Sequence, residues 1–99
     1  MLKSIKVVWD IRAKDDLKLI HDFIALKSPQ KAKTVVNYIL LHSRDITFPE
    51  QYQIDEILGA PFRRMIVGDY KIIYKPQGDN EIRILKIFDS RQNPRKLKK

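Results

Sequence analysis

The chain has 99 residues, of which 43% are hydrophobic and 32% are charged, a composition typical of one domain with a core and not of a disordered chain. It contains no cysteine, which excludes disulfide scaffolds, thiolate metal sites and cysteine nucleophiles. No apolar run approaches the roughly 20 residues of a membrane-spanning helix, and the N-terminal apolar stretch is too short for a signal peptide. We therefore expect a cytoplasmic protein with a single domain over residues 1–99.

The positive charge is concentrated in the second half of the sequence. Lys and Arg number 20 against 12 Asp and Glu, which gives a formal net charge of +8. Residues 1–60 hold nine basic and eight acidic residues, whereas residues 61–99 hold eleven and four. Residues 90–99 form a basic tail without any acidic residue. A positive field of this kind attracts a polyanion or an acidic protein surface.

The first half of the sequence predicts one strand followed by two helices. Lys6 to Trp9 is a short β-rich run, and Asp10 can cap the first helix. The apolar stripe of that helix comprises Ala13, Leu17, Ile20 and Ile24, which Leu19, Phe23 and Leu26 are expected to widen. Ser28-Pro29 predicts the cap and first residue of a second helix. The short connection between the two helices predicts an antiparallel helical hairpin.

The second half of the sequence predicts three strands. Arg63 to Val67 is followed by Gly68-Asp69, a two-residue loop that suits a type II′ hairpin turn. The next strand alternates, with Tyr70, Ile72 and Tyr74 on one face and Lys71, Ile73 and Lys75 on the other. Glu81 to Phe88 is expected to form the last strand.

These elements predict an α+β fold in the order β-α-α-β-β-β, followed by the basic tail. The last three strands should form an antiparallel meander, and the first strand should pair parallel with one of them or lie at an edge. The helical hairpin should pack on one face of this small, mostly antiparallel sheet and leave the other face open. We expect Lys71 and Lys75 to be exposed on that open face.

The hairpin sequence and the last strand resemble those of the RelE/ParE family of bacterial type II toxin–antitoxin toxins. The segment from Gly59 to Lys75 reads GAPFRRMIVGDYKIIYK, and family members usually have an arginine, a glycine turn and then Tyr-Arg, two apolar residues and Tyr. The strand from Ile82 to Phe88 and the following DSRQNP are similar to the end of the ParE-like branch. The resemblance extends over almost the whole chain.

The resemblance implies one of two activities. RelE-like members are ribosome-dependent nucleases that cut mRNA without a metal, whereas ParE-like members poison DNA gyrase and trap its cleavage complex. Both kinds are neutralised by a cognate antitoxin that wraps the toxin. The implied partners are therefore an antitoxin, in an oligomeric assembly, and either gyrase or the ribosome and its mRNA. No cofactor and no membrane partner is implied.

Two positions match catalytic cations of the nuclease branch. Lys71 occupies the place of a strand arginine that contacts the scissile phosphate, but lysine lacks the bidentate fork of arginine. Arg91 matches a second arginine that suits the charge on a transferring phosphoryl group. A third residue, Tyr or His, would fall near Leu97 and is missing, although metal-free RNA cleavage needs a general acid and base. The resemblance therefore favours a non-enzymatic gyrase poison, and Lys71 and Arg91 are catalytic only in the nuclease alternative.

Contact with the target or with nucleic acid is predicted for the polar side chains of the hairpin and the tail. These residues are Arg63, Arg64, Lys71, Lys75, Arg91, Gln92 and Arg95. A plain nucleic-acid-binding domain is a third alternative, but no standard recognition module is present.

The remaining polar candidates have structural interpretations. No metal site is predicted, because neither His21 nor His42 has a second ligand at metal-binding spacing. Asp15-Asp16 is expected in the first turn of the first helix, where carboxylates favour the helix dipole. Asp55-Glu56 precedes the sheet and has no evident partner.

Overall fold

A computed structural model describes residues 5–90 of the chain. The elements in chain order are β1 Lys6–Trp9, α1 Ile11–Ala25, α2 Pro29–Arg44, β2 Arg63–Val67, β3 Tyr70–Pro76 and β4 Glu81–Asp89. This order confirms the predicted β-α-α-β-β-β arrangement and the α+β class. No helix within residues 5–90 has the length and apolar character needed to cross a membrane.

The four strands form one mixed sheet in the order β1-β4-β3-β2. The last three strands are an antiparallel meander, as predicted. β1 pairs parallel with β4 and lies at one edge of the sheet. Both of the placements predicted for the first strand are therefore confirmed. Gly68 adopts a φ of 58° in the two-residue turn between β2 and β3, and no non-glycine residue among those described has a positive φ. A type II′ turn requires this combination.

The predicted helix caps are confirmed. The Asp10 Oδ1 accepts a hydrogen bond from the Arg12 amide at 3.0 Å, and the Ser28 Oγ accepts one from the Lys31 amide at 3.1 Å. Pro29 is the first residue of α2, where the missing N–H costs nothing. These caps fix where each helix begins.

Asp16 joins α1 to the sheet, and its position corrects the expected first-turn role. α1 begins at Ile11 and has no acidic residue in its first turn. Instead, the Asp16 Oδ2 accepts a hydrogen bond from the Ile87 amide at 2.9 Å, and its Oδ1 accepts one from the Lys86 Nζ at 3.1 Å. The carboxylate therefore holds the helix against β4.

The core lies between the helical hairpin and one face of the sheet, which we call the inner face. Its fully or nearly fully buried members are Ala13, Ile39, Ile46, Met65, Val67, Tyr70, Ile72, Tyr74, Ile82, Ile84 and Ile87. Tyr70, Ile72 and Tyr74 thus have the predicted orientation. The Tyr74 hydroxyl donates a hydrogen bond to the Pro49 carbonyl at 2.8 Å, which attaches the loop after α2 to the core.

The predicted apolar stripe of α1 is wrong at three positions. Leu19, Phe23 and Leu26 are 67%, 74% and 83% exposed, whereas Ala13 is fully buried and Leu17 packs against the core. The three exposed residues follow helical spacing, but at 100° per residue they lie on a different face from the buried ones. α1 therefore has two separate apolar faces.

Candidate functional site

The sheet face opposite the helices, which we call the outer face, brings together most of the predicted contact residues of β2 and β3. Cross-strand pairing places Lys71 beside Ile66 and Phe88, and Lys75 beside Arg83. β4 contains a bulge, because Ile73 pairs with Lys86 but Tyr74 pairs with Ile84. The bulge leaves Leu85 without a cross-strand pair. It shifts the alternation of β4 by one residue, so that Lys86 and Phe88 are on the outer face with their partners Ile73 and Lys71.

The segment of residues 55–62 folds over part of the outer face, so the expectation that this face is open is wrong there. The Gly59 amide donates to the Asp55 carbonyl at 2.8 Å and the Phe62 amide donates to the Gly59 carbonyl at 3.0 Å. These bonds make a compact turn, with a φ of 73° at Gly59. Ile73, in the middle of β3, is only 1% exposed. It lines a cavity of about 360 Å³ together with Leu58 and Phe62.

Lys71 is not the exposed cation that the alternation of β3 predicts. Its Nζ lies 2.9 Å from the Asp55 Oδ1, and the two residues are 8% and 0% exposed. The Lys71 Nζ also lies 5.8 Å from the centroid of the Phe88 ring, within the range of a cation–π contact. The side chain points to the outer face, as predicted, but the turn that contains Asp55 covers it.

Asp55 is charged at neutral pH despite its complete burial. Burial alone would raise the pKa of its carboxyl group, but the hydrogen bonds from Lys71 and from the Leu58 and Ile57 amides outweigh that effect and hold the pKa below its ordinary value. The amide bonds to Asp55 Oδ2 measure 2.9 Å from Leu58 and 3.1 Å from Ile57. Asp55 thus stabilises its own turn and neutralises Lys71 at the same time.

Arg63 and Arg64 also have partners within the chain. Arg63 pairs with Tyr74 across the strands, and its Nη1 donates to the Tyr52 carbonyl at 2.7 Å. Arg64 lies on the outer face, where its Nε is 3.2 Å from the Glu56 Oε2 and its Nη2 donates to the Gln53 Oε1 at 3.0 Å. Both arginines therefore fasten residues 50–56 to the edge of the sheet.

Of the predicted contact residues that lie within residues 5–90, Lys75 keeps its charge available. Among the described residues it has no ion-pair partner, and it lines the same cavity as Ile73. Two further cations near this cavity are compensated, since the Arg83 Nε lies 3.2 Å from Asp10 Oδ2 and the Lys86 Nζ binds Asp16. The predicted residues Arg91, Gln92 and Arg95 lie outside the described residues.

Sequence reasoning missed the ion pairs of Asp55 and Glu56 and the exposure of the aliphatic residues around them. Ile54, Ile57, Leu58 and Ile66 are 37% to 55% exposed. We call this group the aliphatic patch. Its members adjoin the Asp55–Lys71 pair, because Ile54 neighbours Asp55, Ile57 and Leu58 donate to its carboxylate, and Ile66 pairs with Lys71. The only sequence signal was an Asp-Glu dipeptide among isoleucines shortly before a basic hairpin.

The comparisons with known proteins agree with this architecture. A family model described as "ParE toxin of type II toxin-antitoxin system, parDE" matches residues 7–94. A solved structure, "Chromosomal ParDE TA system from P. aeruginosa", superimposes with a TM-score of 0.70 at 22% identity, covering 87% of this chain and 96% of that chain. At this identity the similarity shows the fold. A search of the curated proteins found no match. Since the family model spans most of the sequence, the chain belongs to the ParE toxin family of type II toxin–antitoxin systems and is the toxin partner of a cognate antitoxin.

Proposed function

We propose that this toxin arrests growth by poisoning DNA gyrase in the cytoplasm. The observation that carries the proposal is the neutralisation of Lys71 by a fully buried Asp55. A ribosome-dependent nuclease of the RelE kind would need a cation at this position to contact the scissile phosphate. Exposing Lys71 for that purpose would break a buried ion pair, at a cost of about 3–5 kcal/mol.

The aliphatic patch supports a protein target over a nucleic-acid target. Its exposed aliphatic side chains adjoin two compensated cations, Lys71 with Asp55 and Arg64 with Glu56. An apolar surface with paired charges loses little on desolvation against another protein, whereas phosphate recognition depends on unpaired cations. A gyrase poison needs only a surface that binds one state of its target more tightly than the others.

We further propose that Lys75, together with Arg91, Gln92 and Arg95 from the tail, contacts the target or the antitoxin. The antitoxin would lay an amphipathic helix and an extended segment over the helical hairpin and the basic part of the outer face. Both binding modes suit an α/β surface with an exposed strand edge, and the +7 of residues 61–99 favours an acidic partner.

The test compares two activities of the purified toxin. We expect it to inhibit supercoiling by purified gyrase and to trap cleaved DNA, and to leave ribosome-bound mRNA intact by primer extension. Ile66→Ser should weaken gyrase inhibition at least tenfold, because Ile66 is 55% exposed in the aliphatic patch and loses apolar contact with the target. Leu41→Ser, at a 60% exposed residue on α2, is the matched control and should be unaffected.

Two results would contradict this proposal. Sharp ribosome-dependent cuts with unimpaired supercoiling would restore the nuclease interpretation, with Lys71 and Arg91 as catalytic residues. Equal activity of Ile66→Ser and Leu41→Ser against gyrase would remove the aliphatic patch from the target interface.

A further inference from the structure

The cavity on the outer face, which we call the outer cavity, has a mostly apolar lining. Its volume of about 360 Å³ is enough to receive an aromatic or branched side chain, and ligand pockets begin at roughly 300 Å³. Five apolar side chains line it, namely Leu58, Phe62, Ile73, Leu85 and Phe88. A concave apolar surface of this size is a place where a partner can bury a side chain.

The bulge in β4 increases the apolar character of the outer cavity. Consecutive residues of a regular strand point to opposite faces of the sheet, but Leu85 and Lys86 both line this cavity. The reason is that Leu85 is the extra residue of the bulge, between Ile84 and Lys86, which pair with Tyr74 and Ile73. Bulges often redirect a side chain beside a functional site, and this one adds a half-buried leucine to the outer face.

The charges around the outer cavity favour an acidic occupant. Three cations line it, Arg12, Lys75 and Lys86, together with one carboxylate, that of Asp10. Asp10 already accepts a hydrogen bond from the Arg12 amide, and Lys86 is paired with Asp16. Lys75 is half-buried and has no ion-pair partner within residues 5–90. One uncompensated cation beside an apolar lining suits a carboxylate next to an apolar side chain, whereas a nucleic-acid backbone needs several unpaired cations.

We propose that the outer cavity receives an apolar side chain of the antitoxin, and that an acidic residue within two positions of it binds Lys75. The proposal rests on the proposed function, in which the antitoxin covers the basic part of the outer face, and it specifies the site and the chemistry of that contact. Leu58 belongs both to the outer cavity and to the aliphatic patch. The antitoxin side chain therefore abuts the surface assigned to gyrase, so that the two partners exclude each other.

The first experiment identifies the occupant by cross-linking within the complex of the full chain and its antitoxin. Phe62→p-benzoylphenylalanine places a photoreactive ring in the outer cavity. We expect the cross-link to map to an apolar residue of the antitoxin that has Asp or Glu within two positions. Asp79→p-benzoylphenylalanine, in the exposed turn between β3 and β4, is the control and should not give this product. Absence of a cross-link from position 62, or one to a segment without acidic residues, would overturn the proposal.

The second experiment measures the affinity of toxin variants for the antitoxin. Lys75→Glu should raise the dissociation constant at least tenfold, because two carboxylates then face each other. Lys6→Glu, at an exposed lysine of β1, changes the net charge equally and should have less than about a threefold effect. Leu85→Ser should weaken binding at least tenfold through lost apolar burial, with circular dichroism as the check on folding. Equal effects of Lys75→Glu and Lys6→Glu would show that only net charge matters and would contradict the proposal.

Supercoiling by purified gyrase separates this proposal from the proposed function. If the wild-type toxin leaves supercoiling unimpaired, the gyrase target is wrong, but the cross-link and the affinities still decide the antitoxin site. If Leu85→Ser weakens gyrase inhibition and not antitoxin binding, the outer cavity belongs to the target and the present proposal is wrong. A stable complex of gyrase, toxin and antitoxin would likewise overturn it, because the two partners could then bind together.

Discussion

Lys71 illustrates how one buried contact can change the role of a side chain. The Nζ of Lys71 is removed from water and contacts the Asp55 carboxylate and the ring of Phe88 instead. A charged pair removed from water in this way recovers its desolvation cost only while both partners are present. The ion pair therefore stabilises the fold only while both residues are present. Comparing single with double substitutions tests this.

We expect Lys71→Met to lower the free energy of unfolding by about 3 kcal/mol, because it leaves the Asp55 carboxylate buried without its counter-ion. The double variant Asp55→Asn/Lys71→Met should lose less than Lys71→Met alone, since no buried charge remains. Urea denaturation at neutral pH measures both values. Glu56→Gln, which removes the partly exposed pair with Arg64, is the control and should cost no more than about 1 kcal/mol. Equal losses in Glu56→Gln and Lys71→Met would contradict the assignment.

The pKa of Asp55 predicts a loss of stability in acid. The folded chain holds this pKa below the ordinary value of 3.8, so the unfolded chain binds the proton more readily. Stability from Asp55 is therefore complete well above pH 3.8 and is lost as the pH falls through the folded pKa. Urea midpoints recorded from pH 7 downwards should fall more steeply in the wild type than in Asp55→Asn. Parallel curves for the two proteins would show that other carboxylates cause the acid sensitivity.

Arg91 is predicted from the sequence to matter more for toxicity than the terminal lysines. It stands two positions after the last residue of β4, whereas Lys98 and Lys99 are further along the chain from the sheet. Arg91→Ala should strongly weaken growth arrest while the circular dichroism spectrum stays unchanged. The double variant Lys98→Ala/Lys99→Ala removes more charge and should retain arrest. Equal loss in both would mean that the tail acts only through its total charge.

At the scale of the elements, one carboxylate adds a polar link between α1 and β4 to the apolar packing of Ala13 and Leu17. Asp16 accepts from both the Ile87 amide and the Lys86 Nζ. Removing it leaves a backbone donor without its partner, and we expect Asp16→Ala to cost about 1–3 kcal/mol. Asp15→Ala, one residue earlier and exposed, should change stability by no more than about 0.5 kcal/mol. Urea denaturation at low protein concentration tests the two variants, and similar losses would show that Asp16 is not a tether.

The elements also show which features a sequence can predict. The caps at Asp10 and Ser28 and the turn at Gly68 were predictable because each depends on residues within three positions of it. The burial of Lys71 was not, because its partner lies 16 residues away in an irregular segment. The second face of α1 was misassigned because helical spacing shows that Leu19 and Phe23 share a face, but not that this face points away from the sheet.

At the scale of the whole molecule, the uneven charge should govern association with the antitoxin. Most of the +8 arises from residues 61–99, and a field of one sign accelerates encounter with an acidic partner in a way that salt screens. We expect the association rate constant with the antitoxin to fall at least tenfold between low and high salt, while the dissociation rate constant changes less. Rapid-mixing kinetics measures both, and an association rate indifferent to salt would contradict a role for the charge.

The parallel pairing of β1 with β4 has a consequence for how the protein is made. The first strand of the chain hydrogen-bonds along Lys6–Trp9 with a partner that begins only at Glu81. During synthesis, β1 and much of the core cannot pair until β4 has emerged from the ribosome, because contacts between distant residues cannot form earlier. A nascent or prematurely terminated chain that lacks β4 has neither the interior strand that joins β1 to β3 nor the surface around Phe88. The toxin can therefore fold only after β4 has been synthesised, and products that lack β4 are expected to be harmless to the cell that makes them.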